Sequence, residues 1–512
     1  MSGALQAVGM NLRSFITVPG TPTIGTATAT GSTTATIAYT APASNGGSVI
    51  TSYTATSSPG GITGTLSQAG SGTITVTGLT GGTSYTFTVT ATNVVGTGPA
   101  SAASNQITTS ANFMVQMNSA QGPTQTTATV DAAGNIYIST DQNSVGTSIA
   151  SYTPAGVLTY SKSKVTGNMD SRSSFYNGTN IYIGDTRDWT VLNTNGTVAA
   201  NYRCAISGYA YISDARAKVI ADTAGNIYGA ATWGNAADPD NIIYRGIVSK
   251  ISSAGVAQWA VSMTASSATE VKGLYIDGSG NVFVSVANYS SNNSSLSKLD
   301  SSGTIQTGTN NRIKATNTYA QGSGFDPVNS AHYMVGQTAS NGAFLAKFDS
   351  AGEYVWMQGL YIGVAAIFYS LSFDSDGNIY VAGSSTPNTT NILAKYNSSG
   401  TLQWQRTLVT NTADALSTWY SITVSGSQMI IAGAYNDGLN TVAFVLPTDG
   451  SKTGTLTAGS ISAIYSTGSG SSSALSPTVD SLTPSLASYT LSVSTVSASL
   501  GTSTLTLTKA NL

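Results

Sequence analysis

The chain has 512 residues but only 19 basic and 21 acidic side chains, about a third of the charge carried by an average globular chain of this length. Its net charge of -2, with no basic stripe, excludes ordinary nucleic-acid recognition, which begins from clustered Lys and Arg. Hydrophobic residues make up 40% of the chain, which excludes wholesale disorder, because disorder pairs low hydrophobicity with high charge.

Residues 1–18 read as a short arm with a single Arg13 and an apolar pattern broken at Asn11 and Ser14, too weak for a signal peptide. The chain is therefore expected to be made and assembled in the cytoplasm of a host cell. No run reaches the 18 or so apolar residues of a membrane span. From Arg13 to Asp131 lie 117 residues without a charge, and after Lys452 only Asp480 and Lys509 are charged. Ser and Thr together supply 147 positions and Gly 55. This composition shift separates a charge-free region, a middle region holding most of the charge, and a tail.

Residues 19–110 alternate apolar and small polar residues in short runs punctuated by Gly, Pro and Asn, the pattern of a β-sandwich. In "GLTGGTSYTFTVTATNVVGTGPAS", Gly78 to Ser101, Tyr85 opens a strand whose Phe87, Val89 and Ala91 alternate inward, and Asn93 begins a turn. This segment resembles the fibronectin type III family. Leu79 followed by Tyr85 is similar to its tyrosine corner, and Tyr39 stands where that family has a core aromatic. No Arg-Gly-Asp tripeptide is present, so integrin binding does not carry over.

Residues 111–458 repeat with a period of about fifty. In the clearest copy, Ser370 to Leu408, a strand ends at Asp374, a turn passes Gly377 and Asn378, "IYVAG" starts at Ile379, and "ILAKY" turns into a fourth strand around Trp404. Seven copies align at Asn135, Asn180, Asn226, Asn281, Ala331, Asn378 and Gln428. Four strands per unit make a propeller blade, and the set resembles the bacterial seven-bladed propeller repeat family. Closure needs one more strand: either Phe113 to Met117 docks after Val445, or Lys452 to Leu456 supplies it.

Residues 459–512 read as a Ser/Thr-rich linker followed, from Ser488, by a β-hairpin of two strands meeting around Ser499 to Thr502. Two strands alone are marginal, so they need the propeller, the sandwich or identical tails as a partner. The fold class expected is all-β: a fibronectin type III sandwich, a seven-bladed propeller and a β-rich C-terminal assembly segment.

No catalytic residue, metal site or cofactor is assigned. The single Cys204 reads as a buried small hydrophobe and excludes an internal disulfide. The single His332 lacks a Ser and carboxylate placed beside it. The Asp-x-x-Gly-Asn turns lack the bidentate Glu of a calcium loop and read as structural turns in which Asp accepts turn amides, Gly takes positive φ and Asn tolerates it. Asp185 with Asp188 and Asp238 with Asp240 read as solvated loop charge. Trp259, Trp356 and Trp404 share one repeat position and read as blade-to-blade packing. Trp189 and Trp233 fall between second and third strands, and Tyr319, Tyr369, Trp419 and Tyr420 just before first strands. Those two loop types share a face, so these six are the candidate glycan-binding residues, ordinary packing being the competing reading.

The whole resembles bacteriophage virion proteins of the tail-fibre or adhesin kind. The resemblance implies a non-enzymatic structural protein of the virion, partnered with other virion subunits, with itself as a homo-oligomer, and with a host-surface glycan. The alternatives are a bacterial surface adhesin or lectin, a capsid-decorating protein, and a propeller enzyme that degrades polysaccharide.

Overall fold

The computed structural model describes residues 16–511 apart from 119–125, 143–145, 165–172, 185–187, 207–208, 212–217, 236–243, 265–268, 289–292, 307–310, 315–317, 339–341, 362–363, 387–389, 411–415, 436–439, 451–453 and short stretches between the later strands. Side chains are described as far as Gly450, with gaps somewhat wider than these. Residues 1–15, Asp185, Asp238 and Asp240 lie outside the described residues, as do the side chains of Asp188 and Cys204. The chain divides into two units, Met1–Ala111 and Asn112–Leu512, and every regular element described is a strand.

Alternation with period two builds the first unit. In Ser84–Asn93 every second residue is buried, so Tyr85, Phe87, Val89 and Ala91 face the core with Ile37, Tyr53, Ile74 and Val76. A three-stranded sheet of Thr23–Ala29, Thr34–Thr40 and Gly72–Thr77 accompanies a second sheet centred on Ile50–Ser58 and Ser84–Asn93. The Tyr85 hydroxyl accepts a hydrogen bond of 2.9 Å from the Thr80 amide, and Leu79 is buried beside it. This is the tyrosine corner that the sequence predicts. Tyr39 is buried as expected and packs on Tyr53 with ring centroids 4.3 Å apart. Asn93 donates to the Thr17 and Asn45 carbonyls and accepts from the Val95 amide, tying three loops at one end.

Among the described residues the second unit holds seven sheets, built in chain order from residues 126–164, 173–206, 209–264, 269–314, 318–361, 365–410 and 416–447. Within each, neighbouring strands are antiparallel and follow sequence order, except that in the third sheet Tyr209–Tyr211 and Lys218–Ala221 both pair with Ile227–Asn235. Each sheet has an inner strand at its start, Lys218–Ala221 in the third, and a rim strand. The inner strands of successive sheets touch, and that of the seventh touches that of the first. There the Ala128 amide donates to Ser421 Oγ and Thr423 Oγ1 donates to the Ala128 carbonyl. The rim strand of the seventh sheet is Phe113–Asn118, paired with Val445 back to Asn440. Of the two closures the sequence leaves open, the N-terminal strand is the one adopted. Gly454–Ala458 pairs instead with Ile461–Thr467 at the edge of the sixth sheet.

The repeat turns are held by their own side chains. Asp374 Oδ1 accepts from the Asp376 and Asn378 amides, the Asn378 amide group donates to the same carboxylate, and the Tyr380 hydroxyl donates to Oδ2 at 2.9 Å. Gly377 takes φ of 73°. The asparagine contributes its side-chain donor rather than a positive φ, which corrects the expectation for that residue. Asp131 with Asn135 and Tyr137 repeats the network. Burial first, and then the carboxylate, push the Tyr137 and Tyr380 hydroxyls above their ordinary range.

Sheets are locked to one another by a second repeated device. A Cβ on Gly303 would lie 2.7 Å from the Trp259 indole, and one on Gly400 3.1 Å from that of Trp356, so each indole lies on a glycine turn of the following sheet. Trp259 Nε1 donates to the Ser301 carbonyl and Trp404 Nε1 to that of Thr448. The packing expected of these tryptophans is therefore present. Tyr160 and Tyr202 do the same at Gly196 and Gly255, a role their sequence context did not reveal.

The tail departs most from expectation. It is not the linker and terminal hairpin expected: strands from 461 to 511 add one after another to the rim strands. The sixth sheet receives Ile461–Thr467, the fifth Ser471–Leu475, the fourth Thr478–Ser481, the third Ser485–Ser488, the second Leu491–Thr495, the first Leu500–Thr502 and the seventh Thr506–Asn511. A period-two Ser/Thr and Leu/Val sequence satisfies its backbone most readily on an existing strand edge, and the rim supplies seven.

Candidate functional site

The six aromatics do not form the loop face expected of them. Trp189 lies inside Asp188–Asn193, opposite Tyr202 and Gly184, and is only 4% exposed. A Cβ on Gly229 would come within 2.0 Å of its indole. It is a core residue of the contact between the second and third sheets, because Gly229 leaves a slot of indole size, and it cannot stack on a sugar there. Trp233 lies within the strand Ile227–Asn235, opposite Arg245 and Tyr211, and its side chain is outside those described. Both strands run longer than their turn signals suggested.

The other four belong to inner strands rather than to the segments before them. Tyr319 lies in Thr318–Asp326, Tyr369 in Ala365–Phe373, and Trp419 and Tyr420 in Leu416–Ser425. Tyr319 and Tyr369 are half-buried; the side chains of Trp419 and Tyr420 are not among those described. The three strands belong to the fifth, sixth and seventh sheets, which touch in succession.

Register brings these positions to one level. Pairing slips by one residue between Ala320 and Gly322, between Phe368 and Ser370, and between Trp419 and Ser421. The fourth sheet slips likewise between Val271 and Gly273. Each slip falls opposite the same repeat position, Gly383 and Ala382 in the sixth sheet. The extra residues are Lys272, Gln321, Tyr369 and Tyr420. A bulge re-aims the side chain it carries, and four consecutive inner strands carry one.

Two of the residues so placed escaped the sequence reading. Lys272 is 1% exposed, and its Nζ lies 2.8 Å from Glu270 Oε1, with the Glu270 side chain 15% exposed. A buried ion pair stabilises little, since desolvation offsets its attraction, so its presence in a chain this poor in charge points to a role in positioning. The signal was available in "TEVKGLYI", where Lys272 breaks an apolar strand. The level therefore brings the Glu270 carboxylate, held by the buried Lys272, together with the Gln321 amide and the half-buried Tyr369 ring, group types that suit hydroxylated ligands. Among the described residues no cluster of three His, Cys, Asp or Glu side chains is placed to hold a metal.

His332 has no Ser or carboxylate side chain as a hydrogen-bond partner among the described residues. It is 1% exposed and stacked on Phe283 at 3.8 Å between ring centroids, with Phe325 and Tyr275 beyond. Neither ring nitrogen has a hydrogen-bond partner among the described residues, and burial pushes its pKa down to about 4. It fills the contact between the fourth and fifth sheets.

The family model described as Fibronectin type III domain matches residues 20–107, the sandwich with the tyrosine corner. The first unit contains a fibronectin type III domain. No curated protein matches the sequence. Among solved structures the chain is similar to the C-terminal WD40 domain of Sif2, with 10% identity, TM-score 0.39, and 71% of this chain and 93% of that one covered. It is also similar to YCF48 bound to D1 peptide, at 12% identity, TM-score 0.38, and 65% and 95% coverage. A third is Sqt1 from Chaetomium thermophilum, at 9% identity, TM-score 0.39, and 66% and 96% coverage. These neighbours are propeller-like; the fibronectin type III domain itself rests on the family model and the corner geometry.

Proposed function

We propose that the protein is a non-enzymatic structural component of a bacteriophage virion, of the tail-fibre or adhesin class, in which a seven-bladed propeller contacts a host-surface glycan. In this reading the fibronectin type III domain or the chain ends attach it to neighbouring subunits, and it acts as a homo-oligomer. The seven blades are supported by the seven repeats, by the succession of touching inner strands and by the N-terminal strand in the seventh sheet. The virion role rests on composition and architecture; the comparisons do not bear on it.

One observation carries the glycan reading: the shared bulge level that gathers Glu270, Lys272, Gln321, Tyr319, Tyr369 and Tyr420 on adjacent inner strands. Trp189 is withdrawn from the face. Tyr369 and Tyr319, both half-buried, supply ring faces, Gln321 and the partly exposed Glu270 carboxylate supply polar groups that suit hydroxyls, and the buried Lys272 fixes Glu270 in place. The test is binding of the full chain to purified surface polysaccharide of candidate host bacteria, followed by calorimetry. Tyr369→Ala is expected to weaken binding by tenfold or so, about 1.4 kcal/mol, while Val256→Ala, at an exposed turn away from the bulge level, leaves it unchanged. Equal binding by both variants would remove the bulge level as the site. Hydrolysis of the polysaccharide would overturn the non-enzymatic reading.

A further inference from the structure

The tail and the rim are matched residue by residue as well as strand by strand. Directly opposite residues of an antiparallel pair share a face and lie close together. Leu475 is opposite Met357, Val479 opposite Ile313, Leu486 opposite Met263, and Leu507 opposite Met117. In the second sheet Val493 is opposite Cys204 and Leu491 opposite Ile206; in the sixth, Ile464 is opposite Val409. Apolar residues thus stand opposite apolar residues in six of the seven sheets, the exception being Leu500 opposite Lys164. A slip of one residue would set Ser, Thr, Ala or Asp at most of these positions and turn the apolar set to the other face. The tail's one acidic residue, Asp480, falls opposite Arg312.

Connectors between successive tail strands from Ile461 onward are two to four residues long, so the segment has no slack. It visits the sheets in the order sixth, fifth, fourth, third, second, first, seventh, against the direction in which the chain built them. Its last strand lands on Phe113–Asn118, which is thereby paired on both sides, with 440–445 on one and 506–511 on the other.

We propose that residues 461–511 are a strap cut to the circumference of this rim, which docks in cis, in one register, seals the seven outer edges and clamps the N-terminal strand that completes the seventh sheet. The inference goes beyond the glycan and virion reading and rests on strand pairing alone. Sealing follows from strand length: rim strands of eight or nine residues, such as Tyr354–Tyr361 and Leu402–Thr410, are replaced at the outside by strands of three to seven. Short edges offer a poor template for another chain. Clamping follows from hydrogen bonding on both edges of Phe113–Asn118, which must be released together before that strand can leave.

The chain's only cysteine gives a direct test of register, because Val493→Cys puts a thiol opposite Cys204. With oxidised glutathione the full-length variant is expected to lose both free thiols as a monomer, its mass falling by two hydrogens. Ser494→Cys, one residue out of register, is expected to keep both thiols free. Two further pairs, Met263→Cys with Leu486→Cys and Ile313→Cys with Val479→Cys, each in a Cys204→Ala background, are expected to close in the same way. Free thiols in all three pairs, or equally fast closure in Ser494→Cys, would overturn the register. Disulfides that join two chains would overturn docking in cis. For the clamp, Leu507→Pro is expected to speed amide exchange in residues 113–118 at least tenfold, and unchanged exchange would remove that role.

Discussion

His332 illustrates how a titratable residue behaves when burial among aromatic rings outweighs the backbone of Ser350 and the charges of Asp277, Lys298 and Asp349 near it. Stacked on Phe283 and without a partner for either nitrogen among the described residues, it is held neutral, with a pKa of about 4 against an ordinary 6.5. The unfolded chain binds the proton more readily than the folded one. Its contribution to stability is therefore complete above pH 6.5 and is lost as pH falls toward 4. Between pH 7 and pH 5 the loss from this residue is about 2 kcal/mol. His332→Phe keeps a stacking ring and removes the proton, so its stability measured by urea unfolding is expected to fall by that much less than wild type over the same interval. Identical slopes for the two proteins would mean that the histidine is solvated in solution. The sequence revealed that His332 stands in a strand at an apolar repeat position; it did not reveal the aromatic cage, because Phe283 and Tyr275 come from the preceding sheet.

At the scale of the element, what was legible depended on whether the partner lay within the repeat. The Asp-x-x-Gly-Asn turn is closed by its own residues, and its structural character could be read directly. The tyrosine corner, spanning five residues, was equally plain. Four of the six candidate aromatics were misplaced because inner strands extend past their turn signals and carry bulges, which leave no mark in a period-two pattern, and Trp189 and Trp233 because the strands that hold them run longer than their turn signals suggested. Lys272 sits at one of them. Replacing it with Met removes the ammonium that lies 2.8 Å from Glu270 Oε1, so Lys272→Met is expected to cost about 3 kcal/mol in chemical unfolding. Adding Glu270→Leu is expected to restore most of that stability, since apolar pairs replace buried ion pairs at little cost. A double variant no better than the single one would show that Glu270 does not depend on Lys272. Trp189→Ala, which empties the slot above Gly229, is expected to lower stability by about 3 to 5 kcal/mol, with the loss read from the shift in the unfolding midpoint.

For the whole molecule the shortage of charge takes on a different meaning once the charges are located. Lys250, Lys298, Lys347 and Lys395 hold one repeat position, each over the aromatic ring of the preceding strand. Arg406 lies over Trp404 and donates to the Gly450 carbonyl. Asp131, Asp222, Asp277 and Asp374 accept their own turn amides. Lys272 is paired with Glu270. Much of the charge in the ring of sheets is thus committed to holding strands, turns and neighbouring sheets together, and the sandwich from residue 16 to residue 111 has none. What such a molecule offers a partner is Ser, Thr, Asn and aromatic surface, whose hydrogen bonds and stacking are not screened by ions, whereas charge contacts are. Binding of the full chain to a host polysaccharide, measured from about 50 mM to about 500 mM salt, is therefore expected to change less than threefold. A decline of tenfold or more would mean that lysines counted here as internal ties reach the ligand. In that case Lys272→Met, which removes the ammonium at the bulge level, should flatten the dependence, and Lys395→Met, over the Tyr380 ring, should not.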